Sequence, residues 1–124
     1  MKLAVWPFEF IKNGNKKFEI RLLDEKRQAI KIGDEIEFTL ADDSSQTIRV
    51  YVKELITAPT FVELFGRVDP EFAGWPTGTS PQQAADDMRK FYAEDEEKEF
   101  GTVAIGLEVS EISPLRSSDS LRSK

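Results

Sequence analysis

The sequence contains 124 residues, a length that is expected to form one domain because a single core of this size already buries roughly two thirds of the unfolded surface. It has no cysteine, no histidine and no compact Asp-rich loop, which excludes disulfides, Cys or Ser-His nucleophiles and the usual metal sites, and we expect no cofactor. Its net charge is −6, and no apolar run approaches the roughly 20 residues that span a bilayer, so we expect a soluble, cytoplasmic protein without membrane contact.

The first elements are predicted to be a strand, a helix and a second strand. The opening strand covers residues 1–6, and the helix covers residues 7–13, with Pro7 at its first turn and Gly14 at its end. The second strand lies in GNKKFEIRL, residues 14–22. Its apolar side chains alternate with charged ones and are expected to be buried; they are Phe18, Ile20 and Leu22.

The middle of the chain has the pattern of sequential, hairpin-like strands. A charged segment and the turn IKIGD lead to a strand over residues 35–40. The turn ADDSS leads to a longer strand over residues 46–58, which is expected to bend near its end. This order favours a small barrel or curled sheet over a parallel βαβ arrangement.

A short helix and a long loop come next. The helix covers residues 60–66, with Thr60 as its cap and Gly66 as its stop. The Gly/Pro-rich loop covers residues 67–80, and a loop of this length is commonly functional or mobile.

The last part of the domain is predicted to contain a helix and a central strand. Ser80 caps the helix, which covers residues 81–92, and the acidic EDEEKE after it is interpreted as a solvated turn. The apolar strand covers residues 101–112, and residues 114–124 have the composition of a disordered tail. The helix buries one face, formed by Ala84, Ala85, Met88, Phe91 and Tyr92.

Charge is distributed unevenly along the chain. Residues 1–31 contain eight Lys or Arg and four Asp or Glu, whereas residues 32–115 contain six and eighteen. The acidic bulk should repel nucleic acid, so any phosphate contact is expected in the first third of the chain. The imbalance can also arise by chance, and the acidic face can equally serve a protein-interaction module.

A motif occupies the second strand. The spacing G-x-K-x-x-E-x-R covers residues 14–21, with PFEFIKNG leading into it, RLLDEKRQAIKIGDEIEF following it and FGTVAI opening the last strand. This arrangement strongly resembles the ASCH domain family of the PUA-like superfamily, over residues 3–112. The resemblance implies an α+β fold over residues 1–113, a PUA-like mixed β-barrel of about five to six strands with flanking helices. The charged members of the motif are Lys16, Glu19 and Arg21.

The same resemblance implies a polar cleft beside the barrel that binds RNA, a nucleotide or a nucleoside. The acidic bulk of the chain leads us to expect no binding of duplex DNA. Lys16, Glu19 and Arg21 would line it. Asp24 follows the motif closely enough to orient Arg21, and Trp75 in the long loop can stack on a base as a lid. From the pattern alone, Glu19 and Arg21 are interpreted as a solvated pair on one strand face. Lys16 lies two residues before Phe18, so strand alternation places both side chains on the same face, and Lys16 is expected at the barrel rim.

A hydrolase is the alternative function. One bacterial branch of the family resembles a metal-independent amidohydrolase acting on acetylated cytidine, and another has been linked with ribonuclease action. The catalytic residues would be Lys16 and Glu19, but the hydrolase has Thr in place of Glu19 and adds a loop carboxylate. Asp69 and Glu71 are the carboxylates of the long loop, and neither aligns cleanly with it. A carboxylate at residue 19 also favours the charged form of Lys16, whereas a nucleophilic amine must be neutral.

Overall fold

A computed structural model describes residues 2–3, 11, 16–41 and 43–113. The predicted tail over residues 114–124, Gly14 and most of the predicted first helix lie outside these residues. Ile11 is helical and fully buried. The described strands are β1 (Lys2–Leu3), β2 (Phe18–Leu22), β3 (Glu35–Leu40), β4 (Asp43–Ala58) and β5 (Thr102–Ser113). The described helices are α1 (Glu25–Gln28), α2 (Phe61–Arg67), the 3-10 helix η1 (Pro70–Ala73), α3 (Pro81–Met88) and α4 (Glu94–Phe100).

The strands form one curled sheet in the order β1-β3-β4-β5-β2. The pairs β3-β4, β4-β5 and β5-β2 are antiparallel, and the two-residue β1 pairs with β3 in parallel. The fold is α+β, as predicted. Among the described residues four antiparallel strands form a curled half-barrel, fewer than the expected five to six, and the two-residue β1 only extends its edge. β4 is sixteen residues long, and its register with β5 shifts at Arg49/Val50 and Val52/Glu54. Bulges at these positions curve the long strand.

Apolar side chains cover both faces of the sheet. The first core packs Ile20, Leu22 and Ala104 against α2 and α3. The second core packs side chains of β3, β4 and β5 together with Ile11. The predicted burial of Ile20 and Leu22 is confirmed, while Phe18 is half-buried. Within the part of the chain that the structure describes, no helix is long and apolar enough to cross a membrane.

Two helix ends differ from their predictions. α2 begins after its cap Thr60, as expected, but runs through Gly66 to Arg67, because Gly66 keeps ordinary helical geometry rather than a positive φ. α3 ends at Met88, where the chain turns and the Phe91 N–H donates to the Met88 carbonyl. That turn takes Phe91 out of the helical phase, so its ring is 77% exposed instead of buried.

The acidic segment EDEEKE is a helix rather than a solvated turn. Glu96 accepts a hydrogen bond from the Ala93 N–H, and negative side chains are favourable in the first turn of a helix. Glu97 is 3% exposed and accepts from the Phe61 N–H at 2.7 Å and from Arg89 Nε at 3.3 Å. The buried carboxylate therefore ties α4 to the start of α2.

The long loop is ordered against the start of β2. Asp69 caps η1, accepting from the Glu71 N–H. The carbonyl of Phe72 accepts the Lys17 N–H at 2.7 Å, and the Lys17 carbonyl accepts the Leu107 N–H at 2.9 Å. Lys17 thus joins the loop to β5, immediately beside the motif.

Candidate functional site

The motif residues Glu19 and Arg21 lie on β2, at one edge of the sheet. In the antiparallel register Glu19 pairs with Ile105 and Arg21 with Val103, both members of the second core. Directly paired residues project from the same face of a sheet, so the charged side chains start on an apolar face. The strand pattern alone predicted a solvated pair, which is wrong for Glu19, because this residue is only 4% exposed.

One carboxylate binds both cations of the motif. Lys16 Nζ lies 2.7 Å from one oxygen of Glu19, and an Nη of Arg21 lies 2.9 Å from the other. The side chains of Lys16, Glu19 and Arg21 are 10%, 5% and 22% exposed, so solvent reaches the group mainly at Arg21. These three residues are called the charged triad below.

Lys16 does not follow the predicted parity. Strand alternation predicted that the side chain of Lys16 lies on the same face as Phe18, opposite to Glu19. β2 begins only at Phe18, so the alternation does not extend to Lys16, and its ammonium folds back to Glu19.

The charge state of Glu19 follows from its two partners. Burial by itself would raise the pKa of the Glu19 carboxyl, because apolar surroundings disfavour the charged form. The charges of Lys16 and Arg21, with a hydrogen bond from each, outweigh burial and lower the pKa below its ordinary value of 4.5. The charged triad therefore contains one anion and two cations, and its net charge is +1.

Tyr92 supports Arg21 from the turn after α3. Burial would lower the pKa of Arg21, but the charge and hydrogen bond of Glu19, and then the interaction with Tyr92, raise it. The Tyr92 ring stacks on Phe61 of α2, with centroids 6.0 Å apart. Sequence reasoning placed Tyr92 in the core and missed this contact. Whether Phe91 or Tyr92 turns inward depends on where α3 ends, which the helical pattern did not show.

Asp24 lies beyond the motif and has another partner. Its carboxylate accepts from the Arg27 backbone N–H at 3.0 Å and from the Arg27 guanidinium at 3.2 Å. Asp24 therefore caps α1, and the carboxylate that holds Arg21 is that of Glu19. The predicted contribution of Asp24 to ligand binding stays a prediction.

Trp75 is fastened to the helices of the first core. Its Nε1 donates to Asp87 at 2.9 Å, which lowers the pKa of that carboxyl, and its ring meets Phe65 edge-on at 5.1 Å. A half-buried ring held at both ends can anchor the long loop. The predicted stacking of Trp75 on a base stays untested.

Comparisons with known proteins agree with this fold. The ASCH domain model matches residues 1–111. The chain is similar to hypothetical protein PH0355 (33% identity, 89% of this chain and 100% of that chain, TM-score 0.72). It is also similar to protein PF0455 from Pyrococcus furiosus (32% identity, 90% of this chain and 99% of that chain, TM-score 0.66).

More distant structures share the fold alone. ASCH from Zymomonas mobilis is 14% identical over 98% of this chain and 91% of that chain, with a TM-score of 0.55. No curated protein matches the chain significantly. The family model covers nearly all of the sheet and helices described above, and the resemblance seen in the motif is confirmed. The chain belongs to the ASCH domain family.

Proposed function

We propose that the protein binds single-stranded RNA, a nucleotide or a nucleoside through the charged triad. The observation that supports this is a buried carboxylate that orients two cations, one of which remains open to solvent. A guanidinium has five N–H donors in a planar fork, so Arg21 keeps donors for a phosphate or a base carbonyl after binding Glu19. Glu19 and Tyr92 act as the supporting shell that a binding group needs.

Charge favours a small, local site. The charged triad has a net charge of +1, and the adjacent Lys17 is exposed. The rest of the domain is strongly acidic. A ligand with one or a few phosphates is therefore attracted to the triad, whereas a long polyanion would also meet repulsive surface.

Binding is favoured over hydrolysis by the state of Lys16. Lys16 Nζ lies 2.7 Å from the Glu19 carboxylate, so it is engaged in an ion pair and is not placed as a free nucleophile. Of the loop carboxylates, Asp69 already caps η1. Amidohydrolase or ribonuclease action is thus the alternative that an assay must separate from binding.

The test is the Arg21→Ala variant, measured by titration of a short single-stranded RNA and of single nucleotides. Loss of a charge-assisted hydrogen bond should weaken binding by roughly 1 to 3 kcal/mol. The control is Arg49→Ala, which removes the same charge from an exposed arginine paired with Glu35, Glu37 and Glu111. Equal affinities of both variants and the wild type would refute the proposal.

The same mixtures separate a binder from an enzyme. A binder raises the melting temperature with its ligand and releases no product, since stabilisation follows from occupancy alone. Release of acetate from acetylated cytidine, or cleavage of the RNA, by the wild type and not by Arg21→Ala would establish the hydrolase alternative instead.

A further inference from the structure

Phe72 is an exposed aromatic residue in a helix whose other apolar side chains are buried. In η1, Pro70 and Ala73 are buried, whereas the Phe72 ring is 41% exposed. Single exposed apolar residues are common on protein surfaces, so exposure alone indicates nothing. The position of this ring relative to the motif is what distinguishes it.

Phe72 is joined by a direct backbone contact to Lys17, the residue that follows Lys16 of the charged triad. Its carbonyl accepts the N–H of Lys17 at 2.7 Å, and Lys17 immediately precedes β2 and follows Lys16. The Lys17 Nζ lies 5.2 Å from the centre of the Phe72 ring. An exposed aromatic ring and an exposed cation therefore lie at the residue that follows Lys16 of the charged triad.

The other aromatic residues near this region have structural partners. Trp75, expected to be a lid, donates to Asp87 and packs edge-on against Phe65. Tyr92 stacks on Phe61 and supports Arg21. Phe72 combines solvent exposure with a contact to the motif, which neither Trp75 nor Tyr92 does.

We propose that Phe72 is the base-stacking residue of the site, with Lys17 and Arg21 binding phosphates of the same ligand. This assignment rests on the proposed binding of RNA or a nucleotide. A cation over an exposed ring contributes less than a stacked base does. The base can therefore displace Lys17 from the ring, and the released ammonium is then near the phosphate. Stacking on one phenyl ring tolerates every base, so the site would select for the presence of a base rather than for its identity.

The test uses two probes of equal charge, a single-stranded RNA hexamer and its abasic analogue. Phe72→Ala should weaken binding of the hexamer by about 5- to 150-fold, the range for removal of a stacking ring, and leave binding of the abasic analogue unchanged. Phe72→Leu keeps an apolar side chain but has no π-face, so its affinity for the hexamer should fall by a similar factor. Phe72→Tyr keeps an aromatic ring and should have the wild-type affinity. The matched control is Phe91→Ala, which removes an exposed phenylalanine from the turn before Tyr92.

The outcomes separate this assignment from the proposed function. If wild type binds the hexamer and Phe72→Leu binds it equally well, the stacking role is wrong while the triad proposal stands. An equal loss for hexamer and abasic analogue would show that Phe72 only positions the loop, which also overturns the assignment. If the wild type binds neither probe and no mononucleotide, both the proposed function and the stacking role of Phe72 are wrong.

Discussion

Glu19 is the residue on which the charged triad depends. A carboxylate that is 4% exposed is unfavourable unless it is paired, and both of its oxygens are bound by cations of the same motif. Conversely, without Glu19 the two cations would repel each other beside an apolar core. Glu19 is therefore expected to stabilise the fold as well as to orient Arg21.

The first prediction concerns Glu19→Gln and pH. The pKa of Glu19 is lowered in the folded state, so its stabilising contribution is present above the ordinary value of 4.5 and is lost as pH falls through the folded pKa. The variant should lose roughly 3 to 5 kcal/mol of unfolding free energy at pH 7, and its stability should depend less on pH below 4.5. Chemical denaturation between pH 3 and 7 measures both effects.

The control for this variant is Glu35→Gln. Glu35 pairs with Arg49 at 2.8 Å, but both side chains are more than 40% exposed, and such pairs contribute about 0 to 1 kcal/mol. Similar losses in the two variants would contradict the importance assigned to burial of Glu19.

A second prediction concerns the hydrolase alternative and the Glu19→Thr variant. Thr occupies this position in the hydrolase branch that the motif resembles, and the change removes the carboxylate that holds Lys16 Nζ in an ion pair. Any rate of acetate release from acetylated cytidine should therefore rise in Glu19→Thr. A measurable wild-type rate that falls on this substitution would instead make Glu19 a catalytic participant.

At the scale of elements, the placement of β2 depends on a close approach to β5. Gly106 pairs with Phe18 of β2 on one side and with Glu54 of β4 on the other. A Cβ on Gly106 would lie 2.8 Å from the Glu54 Cβ and 3.2 Å from the Phe18 ring. Only a residue without a side chain allows the start of β2, and with it the motif, to sit in this position.

The third prediction is that Gly106→Ala destabilises the protein by roughly 1 to 3 kcal/mol, the cost of overpacking a close contact. Weaker RNA binding should accompany the loss, because β2 must shift. Gly66→Ala is the control with the opposite sign: Gly66 lies within α2 with nothing near its added Cβ, so the variant should gain about 0.5 to 1 kcal/mol. Thermal or chemical unfolding of both variants checks the pair.

At the scale of the whole molecule, most of the charge opposes binding of a polyanion. Residues 32–115 have three times as many acidic as basic residues, and Arg49 on the outer face of the sheet is surrounded by carboxylates. Phosphates that lie along residues 32–115 would therefore meet mostly negative charge. Nucleic-acid binding should therefore depend on a few contacts near the charged triad.

The fourth prediction follows from this small number of contacts. If Lys17 and Arg21 neutralise two phosphates of single-stranded RNA, raising the salt concentration from 50 to 200 mM should weaken binding by roughly sevenfold. Duplex DNA should not bind at physiological salt. Fluorescence anisotropy across a salt series checks both statements, and tight binding of duplex DNA would show that the acidic surface does not control access.

Local patterns in the sequence determined most of the strands and helices, and they identified the residues that make up the motif. The alternation at Ile20 and Leu22, the cap at Thr60 and the strand patterns of β3 to β5 are properties of neighbouring residues, so they can be recognised without knowing the fold. The acidic helix α4 was not predicted. Its acidic first turn has the same composition as a solvated turn, and the sequence does not show that Glu97 is buried.

Only the tertiary structure decided which side chains of the motif are buried and which residues they contact. Its three charged side chains were known from sequence, but the burial of Glu19 depends on the residues of β5 that pair with it, far along the chain. The partners of Arg21, Asp24 and Trp75 likewise depend on where α1 and α3 begin or end. Such long-range contacts form because packing of the whole sheet brings distant residues together, and no local pattern of the sequence encodes their distances.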